Sequence, residues 1–224
     1  MNKVKACATS AMRDSRNGPQ LIQQIKELTN IQIEIIDGDT EATLIHHAVQ
    51  SELHLDKRLA LIVDIGGGST EFTLSQNEKL IACKSINIGS VRMLELQDPN
   101  ALLEYINKNI DSAEIFIKSI ISNQKIDVIV GTGGNFRRLA KINKKLSSKA
   151  FANYMTIDEV SKANQELTSL SHDMRVKKFD LSDDRADVIV PASLLIKQIV
   201  SRFECAGIYT PKVGLKEGLL LSMI

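Results

Sequence analysis

Residues 59–71 read Leu-Ala-Leu-Ile-Val-Asp-Ile-Gly-Gly-Gly-Ser-Thr-Glu, and this stretch decides the fold. Leu59–Ile65 is a nearly continuous apolar run broken only by Asp64, the pattern of a strand buried on both faces. Gly66-Gly67-Gly68-Ser69 is a turn, and Thr70–Ser75 alternates as a returning strand. After the polar turn Gln76–Glu78, Lys79–Asn87 supplies a third strand, which completes a three-stranded meander.

Upstream, Lys3–Ala8 reads as a short strand. Pro19, after Asn17-Gly18, suits the first turn of a helix running to about Leu28. Ile31–Ile36 reads as a strand. Asp37–Leu53 reads as a helix capped by Asp37 or Asp39, with Ala42, Ile45, Val49 and Leu53 on one face. The short, charged segment His54–Arg58 is the expected link between two domains. Downstream, helical patterns fall at about Ser90–Leu96 and Ala101–Ser122. Ile126–Val130 is another buried strand, leading into Gly131-Thr132-Gly133-Gly134 and a helix. Further helices are expected near Thr156–Leu170 and Asp183–Phe203, a short strand at Ala206–Tyr209, and a C-terminal helix after Lys212–Gly218. Elements in this order make an α/β protein with mixed sheets covered by helices.

Composition narrows the function. The 224 residues carry 28 Lys plus Arg against 27 Asp plus Glu, a net charge of +1, with no Trp and 4% aromatic residues. That balance speaks against a general nucleic-acid binder or a base-stacking platform. Cys7, Cys83 and Cys205 are odd in number and widely spaced, which suggests neither a disulfide framework nor a zinc site. No apolar run is long enough to span a bilayer, and the first residues lack the apolar stretch of a signal peptide. A cytoplasmic protein is expected.

Three stretches carry chemistry. Consecutive glycines at Gly66, Gly67 and Gly68 let backbone N–H groups converge on one point, and Ser69 and Thr70 add hydroxyls, a combination that attracts phosphate. If the turn pairs Ile65 with Thr70, Asp64 stands opposite Glu71, and two facing carboxylates repel one another. A divalent cation such as Mg²⁺ relieves that repulsion. The competing reading is a tight glycine hairpin whose carboxylates are simply solvated. The second stretch, Gly131–Gly134, lies between a strand and a helix, where backbone donors hold an anion. It matches neither a dinucleotide fingerprint nor a Walker A loop, and an ordinary strand–helix turn explains it equally well. The third is Asp37–Glu41 at the head of a helix, where acidic residues also simply favour the helix dipole. Arg137, Arg138, Lys141, Lys144 and Lys145 read either as a solvated helix face or as the wall of a groove for a polyanion. His46, His47, His54 and His172 lack metal-ligand spacing, and Met12, Met93, Met155, Met174 and Met223 read as core filler.

Taken together, seven stretches resemble the motifs of the exopolyphosphatase/guanosine pentaphosphate phosphohydrolase family, in the family's order. They are Ala8–Asp14 (ATSAMRD), Ile36–Ala42 (IDGDTEA), Val63–Glu71 (VDIGGGSTE), Ile88–Arg92 (IGSVR), Val130–Gly134 (VGTGG), Arg185–Pro191 (RADVIVP) and Gly214–Gly218 (GLKEG). The family belongs to the sugar kinase/actin/heat-shock chaperone superfamily. The resemblance therefore implies two ribonuclease-H-like, actin-like ATPase domains around a cleft. Residues 1–56 would be the end of the first domain and 57–224 the second. It implies Glu41 as the catalytic residue that orients or deprotonates water, and Asp64 and Glu71 as ligands of Mg²⁺ or another divalent cation. It implies phosphate binding by Gly66, Gly67, Gly68, Ser69, Thr70, Gly133 and Gly134, with Arg13 and Arg185 facing the cleft. The expected activity is hydrolysis of the terminal phosphate of inorganic polyphosphate. The alternatives are 5′-phosphohydrolysis of guanosine pentaphosphate, or binding of polyphosphate or alarmone without turnover. Family members often form dimers, so a homodimer is expected. The family's opening strand and loop, DIGSNSxR, has no counterpart in these residues. The first domain is therefore expected to be incomplete, either because the chain is a fragment or because the protein is truncated with an exposed sheet edge.

Overall fold

The structure is a computed structural model that describes residues 4–122, 124–147, 151 and 153–224. Ala6–Ala8 (β1) leads through the short helix Ser10–Asp14 (α1) into Gly18–Thr29 (α2). Ile33–Ile35 (β2) returns parallel to β1, pairing Ala6 with Ile33 and Ala8 with Ile35. Gly38–Glu52 (α3) follows, capped as expected by Asp37, whose carboxylate accepts the Thr40 N–H at 2.8 Å.

The larger sheet begins with the meander Leu59–Ile65 (β3), Thr70–Gln76 (β4) and Lys79–Ile86 (β5). Next come Pro99–Ile121 (α4), Val128–Thr132 (β6), Gly133–Leu146 (α5) and Tyr154–Thr156 (β7). The chain continues through Ile157–Ser169 (α6), His172–Phe179 (α7) and Asp183–Arg202 (α8), and ends with Gly207–Tyr209 (β8) and Leu215–Leu221 (α9). The six strands lie in the order β5-β4-β3-β6-β8-β7. β4 is antiparallel to β3 and β5, whereas β6 and β8 run parallel to β3. A meander flanked by two parallel crossover strands is the ribonuclease-H-like arrangement, with β7 as an added antiparallel edge.

All seven residues of β3 are buried, because helices cover both faces of the sheet. On one face Ile45 and Val49 of α3 pack on Ala60, Ile62, Val128 and Val130. On the other, Ile106, Ile110 and Ile117 of α4, Phe136 and Leu139 of α5, and Leu195 and Ile199 of α8 enclose Leu61, Val63, Phe72 and Ile129. Each fully buried Val, Leu, Ile or Phe contributes roughly 1.5–3 kcal/mol relative to exposure. The central strand therefore anchors Asp64 at the buried centre of the sheet.

Several sequence expectations change in detail. The helix expected at Ser90–Leu96 is only a turn of 3₁₀ helix at Arg92–Glu95, since this segment is held by bonds to the glycine loop rather than by its own ladder. α1, β7 and α7 are too short to leave a periodic signal. Met93 and Met155 are buried as expected, but Met174 is 54% exposed on α7 and is not core filler. Lys3, the first residue of the expected N-terminal strand, lies outside the described residues.

Candidate active site

The two glycine stretches meet because β3 and β6 are adjacent and parallel. Asp64 pairs across to Thr132 on one side and to Glu71 on the other. The Ile65–Thr70 pairing that places the two carboxylates opposite each other is present. Thr132 donates its hydroxyl to Asp64 Oδ2 at 2.6 Å. Gly133 then sits with φ at +84°, and a Cβ there would lie 2.9 Å from Asp64 Oδ1, so both backbone and space require glycine. Gly89 serves the first loop in the same way: a Cβ there would lie 2.4 Å from the Gly67 carbonyl carbon. This close approach lets Ser90 N–H donate to Gly66 O at 3.0 Å and Val91 N–H to Gly67 O at 2.9 Å.

Asn135 joins the two loops. Its side chain is buried, and its Nδ2 donates to Ile65 O at 2.8 Å and to Ser90 Oγ at 3.2 Å. Arg92 adds an outer brace, with Nε donating to Gly68 O at 3.0 Å and Nη2 to Asp14 Oδ2 at 2.9 Å. No motif in the sequence singles out Asn135 or Thr132. Pairing the two apolar strands in parallel register, Asp64 with Thr132, is the signal that finds Thr132, and no sequence signal finds Asn135.

The carboxylates form one electrostatic unit. Glu41, in the first turn of α3, is 8% exposed, and Glu71 is 2% exposed. Glu41 Oε2 and Glu71 Oε2 are buried with no hydrogen-bond partner. Burial, followed by the charges of Glu71 and Asp64, pushes Glu41 up to about 8, while Arg13 opposes the shift. Burial also raises Glu71, against hydrogen bonds from Ser69 and Ser85. Asp64 is raised by burial too, and the Thr132 bond and the Arg137 charge pull it down.

The remaining expected residues fall at two ends of this unit. Arg13 is half-buried, donates Nη1 to Ile36 O at 2.9 Å, and acts on Glu41 and Glu71. Gly68 lies against Ser10. Ser69 is buried, and Thr70 is fully buried with its hydroxyl donating to Ile88 O at 2.6 Å. Asp64, Gly66, Gly67, Gly134 and Arg185 line an open cleft of about 650 Å³ together with Arg137. A Cβ on Gly134 would lie 3.4 Å from Arg185 Nη1. Glu41, Glu71 and Arg13 do not line this cleft and are coupled to it through Asp64, whereas Arg137 and Arg185 line it together with Asp184 and Asp187.

Among the described residues no group of three or more His, Cys, Asp or Glu side chains converges to hold a metal ion alone. Two carboxylates with unpartnered or raised oxygens nevertheless suit a cation that takes its other ligands from phosphate and water, as Mg²⁺ does. No described helix is long and apolar enough to cross a membrane.

Comparison with known proteins agrees with this geometry. The chain is 31% identical over 208 residues to the bifunctional 3-dehydroquinate synthase/phosphatase of Fusobacterium nucleatum, covering 88% of this chain and 31% of that protein. It is 24% identical over 226 residues to the guanosine-5′-triphosphate,3′-diphosphate pyrophosphatase of Pseudoalteromonas translucida, covering 99% of this chain and 45% of that protein. It thus spans less than half the length of each of these curated relatives. The crystal structure of an exopolyphosphatase from Cytophaga hutchinsonii superposes with a TM-score of 0.88 at 27% identity, over 98% of this chain and 74% of that one. The profile of the Ppx/GppA phosphatase family matches residues 1–224, so the chain that builds this paired-glycine-loop cleft belongs to the Ppx/GppA phosphatase family.

Proposed function

We propose that the protein hydrolyses phosphoanhydride bonds, releasing the terminal phosphate of inorganic polyphosphate. The observation that supports this most directly is the buried trio Glu41, Glu71 and Asp64 set behind two apposed glycine loops. Burying three neighbouring carboxylates is costly when they repel one another and when Glu41 Oε2 and Glu71 Oε2 have no hydrogen-bond partner. Their retention here fits a site that handles a cation and water rather than one built for stability.

In this reading the terminal phosphoryl group lies over the N–H groups of Gly67 and Gly134, which are fixed in advance and need no reorganisation as charge shifts, while the Gly66 N–H closes the loop by donating to Ser69 O at 3.0 Å. Arg185 and Arg137 supply positive charge on the cleft side. Glu41 orients a water molecule for in-line attack on the terminal phosphorus. The bond from that phosphorus to the bridging oxygen breaks, and its electron pair stays on the shortened chain. The water proton passes to Glu41. Phosphoryl transfer has a loose transition state, so that proton is taken late. A carboxylate raised towards neutrality is also a stronger base than an exposed one. Asp64 and Glu71 would hold Mg²⁺, which when bound neutralises charge developing on the phosphate oxygens.

A second reading is 5′-phosphohydrolysis of guanosine pentaphosphate, favoured by the likeness to the Pseudoalteromonas protein. Phosphate release from tripolyphosphate, long-chain polyphosphate and guanosine pentaphosphate, with Mg²⁺ titrated, separates the two. Turnover that is lost in Glu41→Ala while substrate binding persists supports hydrolysis by this site. Asp64→Asn and Glu71→Gln are expected to weaken the Mg²⁺ dependence. Tight phosphate binding with no release from any substrate overturns the hydrolase reading in favour of a binding protein.

A further inference from the structure

The surroundings of the cleft differ from end to end. At Asp64 it meets a group of three mutually repelling carboxylates completed by Glu41 and Glu71, and Asp184 and Asp187 stand beside Arg185 in its wall. Its other end opens past Gly134, Arg137 and Arg185 into a second cavity of about 530 Å³. That cavity is lined in addition by Arg138, Lys141 and Lys212, so every charged residue lining it is basic. α5 carries Arg137 and Lys141 four residues apart on one face, with Arg138 beside them. Arg137 bridges the elements: its Nε donates to Gly133 O at 3.2 Å and its Nη1 to Lys212 O at 3.1 Å. The Lys212 N–H is held in turn by the Glu52 carboxylate at 3.1 and 3.2 Å.

Among the described residues no carboxylate lies within ion-pair distance of the side chains of Arg137, Arg138, Lys141 or Lys212. On a chain with almost equal numbers of acidic and basic residues, a cavity lined by five cations, of which only Arg185 has an ion-pair partner among the described residues (Asp184 at 3.7 Å), is an unbalanced feature. It opens directly from a phosphate cleft, and a concave basic wall concentrates anions.

We propose that this second cavity is a subsite for the phosphates on the leaving side of the scissile bond. The terminal phosphate lies over the glycine loops, the water at Glu41 attacks from the acidic end, and the following phosphates lie against Arg138, Lys141 and Lys212. This inference rests on the hydrolase reading and adds a direction of threading and a source of chain-length preference. The ligand chemistry is a run of linked or neighbouring phosphates, supplied either by an inorganic chain or by the second phosphate group of a nucleotide.

The test uses the 224-residue chain and the double variant Lys141→Ala/Lys212→Ala, with Arg138→Ala as an independent check. Neither variant touches the glycine loops or the carboxylates. The expected result for long-chain polyphosphate is a KM about tenfold higher, with kcat within about twofold, and a weaker salt dependence than the parent protein. For tripolyphosphate both constants should stay within about twofold. A loss on guanosine pentaphosphate alone assigns the subsite to the nucleotide's second phosphate group, and a loss on the inorganic chain assigns it to that chain. Unchanged constants on every substrate, or an equal loss at every chain length, would mean a solvated basic face and overturn the proposal. If the parent protein releases no phosphate at all, the hydrolase reading fails on its own. Equilibrium binding of long-chain polyphosphate, about tenfold weaker in the double variant, then decides the subsite separately.

Discussion

Glu41→Gln should stabilise this protein at alkaline pH in the absence of divalent cations. Glu41 is 8% exposed, its Oε2 has no partner, and its pKa is raised from 4.5 to about 8. A group whose folded pKa is raised favours folding most below its unfolded pKa, and the advantage is lost as pH rises towards the folded value. Each unit is worth about 1.36 kcal/mol, so ionising Glu41 removes about 4 kcal/mol between roughly pH 5 and pH 8.5. Glutamine carries no charge at any pH, and it also spares Glu71 and Asp64 one repelling neighbour, which acts in the same direction. The assay is urea unfolding in EDTA at a series of pH values, comparing extrapolated free energies at matched slope. The stability difference between variant and parent should be small near pH 5 and grow by several kcal/mol by pH 8.5. Mg²⁺ should narrow it, because a cation bound to the folded state stabilises the charged carboxylates. A difference that stays constant across the pH range in EDTA would refute the reasoning, since Glu41 would then not carry an unrelieved charge in a buried site.

Three further outcomes are expected. His46 is buried, meets Ser75 Oγ at 3.0 Å, and is lowered from 6.5 to about 4 by burial and the neighbouring His47. Its contribution is present above about pH 6.5 and is lost as pH falls through about 4, so parent stability should drop by up to about 3 kcal/mol over that window. His46→Gln should flatten that acid limb in pH-dependent unfolding, and an unaltered limb would remove His46 from the account. Gly133→Ala forces a Cβ into a left-handed backbone 2.9 Å from Asp64 Oδ1. It should cost about 1–3 kcal/mol in urea unfolding, and an increase in stability would contradict the geometry of the second loop. Asn135→Ala removes donors to Ile65 O and Ser90 Oγ. It should cost about 1–3 kcal/mol and lower kcat more than it raises KM, and a pure KM effect would mean that Asn135 does not position the loop.

The sequence showed most plainly what depends on local chemistry. The Asp64–Glu71 opposition follows from a four-residue turn and the two-residue period of strands, and the register has that form. Asp37 as an N-cap follows from one short polar side chain before a helix. What escaped was long-range. Asn135 lies 70 residues from Ile65, and no spacing within α5 announces that its amide bridges to another strand's carbonyl. Its place in the chain alone makes Glu41 an ordinary first-turn carboxylate favoured by the helix dipole, and only the family resemblance singles it out. Only the packing of α3 against β4 and β5 shows that it is buried against Glu71 rather than solvated.

Long-range packing also separates Arg13 from Arg185, which no motif does. Arg13 stands beside Glu41 and Glu71 and partly offsets their charge. Arg185 lies against Gly134 and faces the basic cavity. As members of a motif list the two residues are interchangeable phosphate contacts. On the proposed mechanism Arg13, beside Glu41, falls on the water side of the reacting phosphate and Arg185, in the wall of the basic cavity, on the leaving side. A charge-removing substitution at Arg13 should therefore raise the Glu41 pKa further and shift the pH dependence of kcat to higher pH. The same change at Arg185 should weaken substrate binding without that shift. The measurement is a pair of pH–rate profiles for Arg13→Gln and Arg185→Gln, and identical profiles for the two variants would collapse the cleft's polarity into a uniform basic surface.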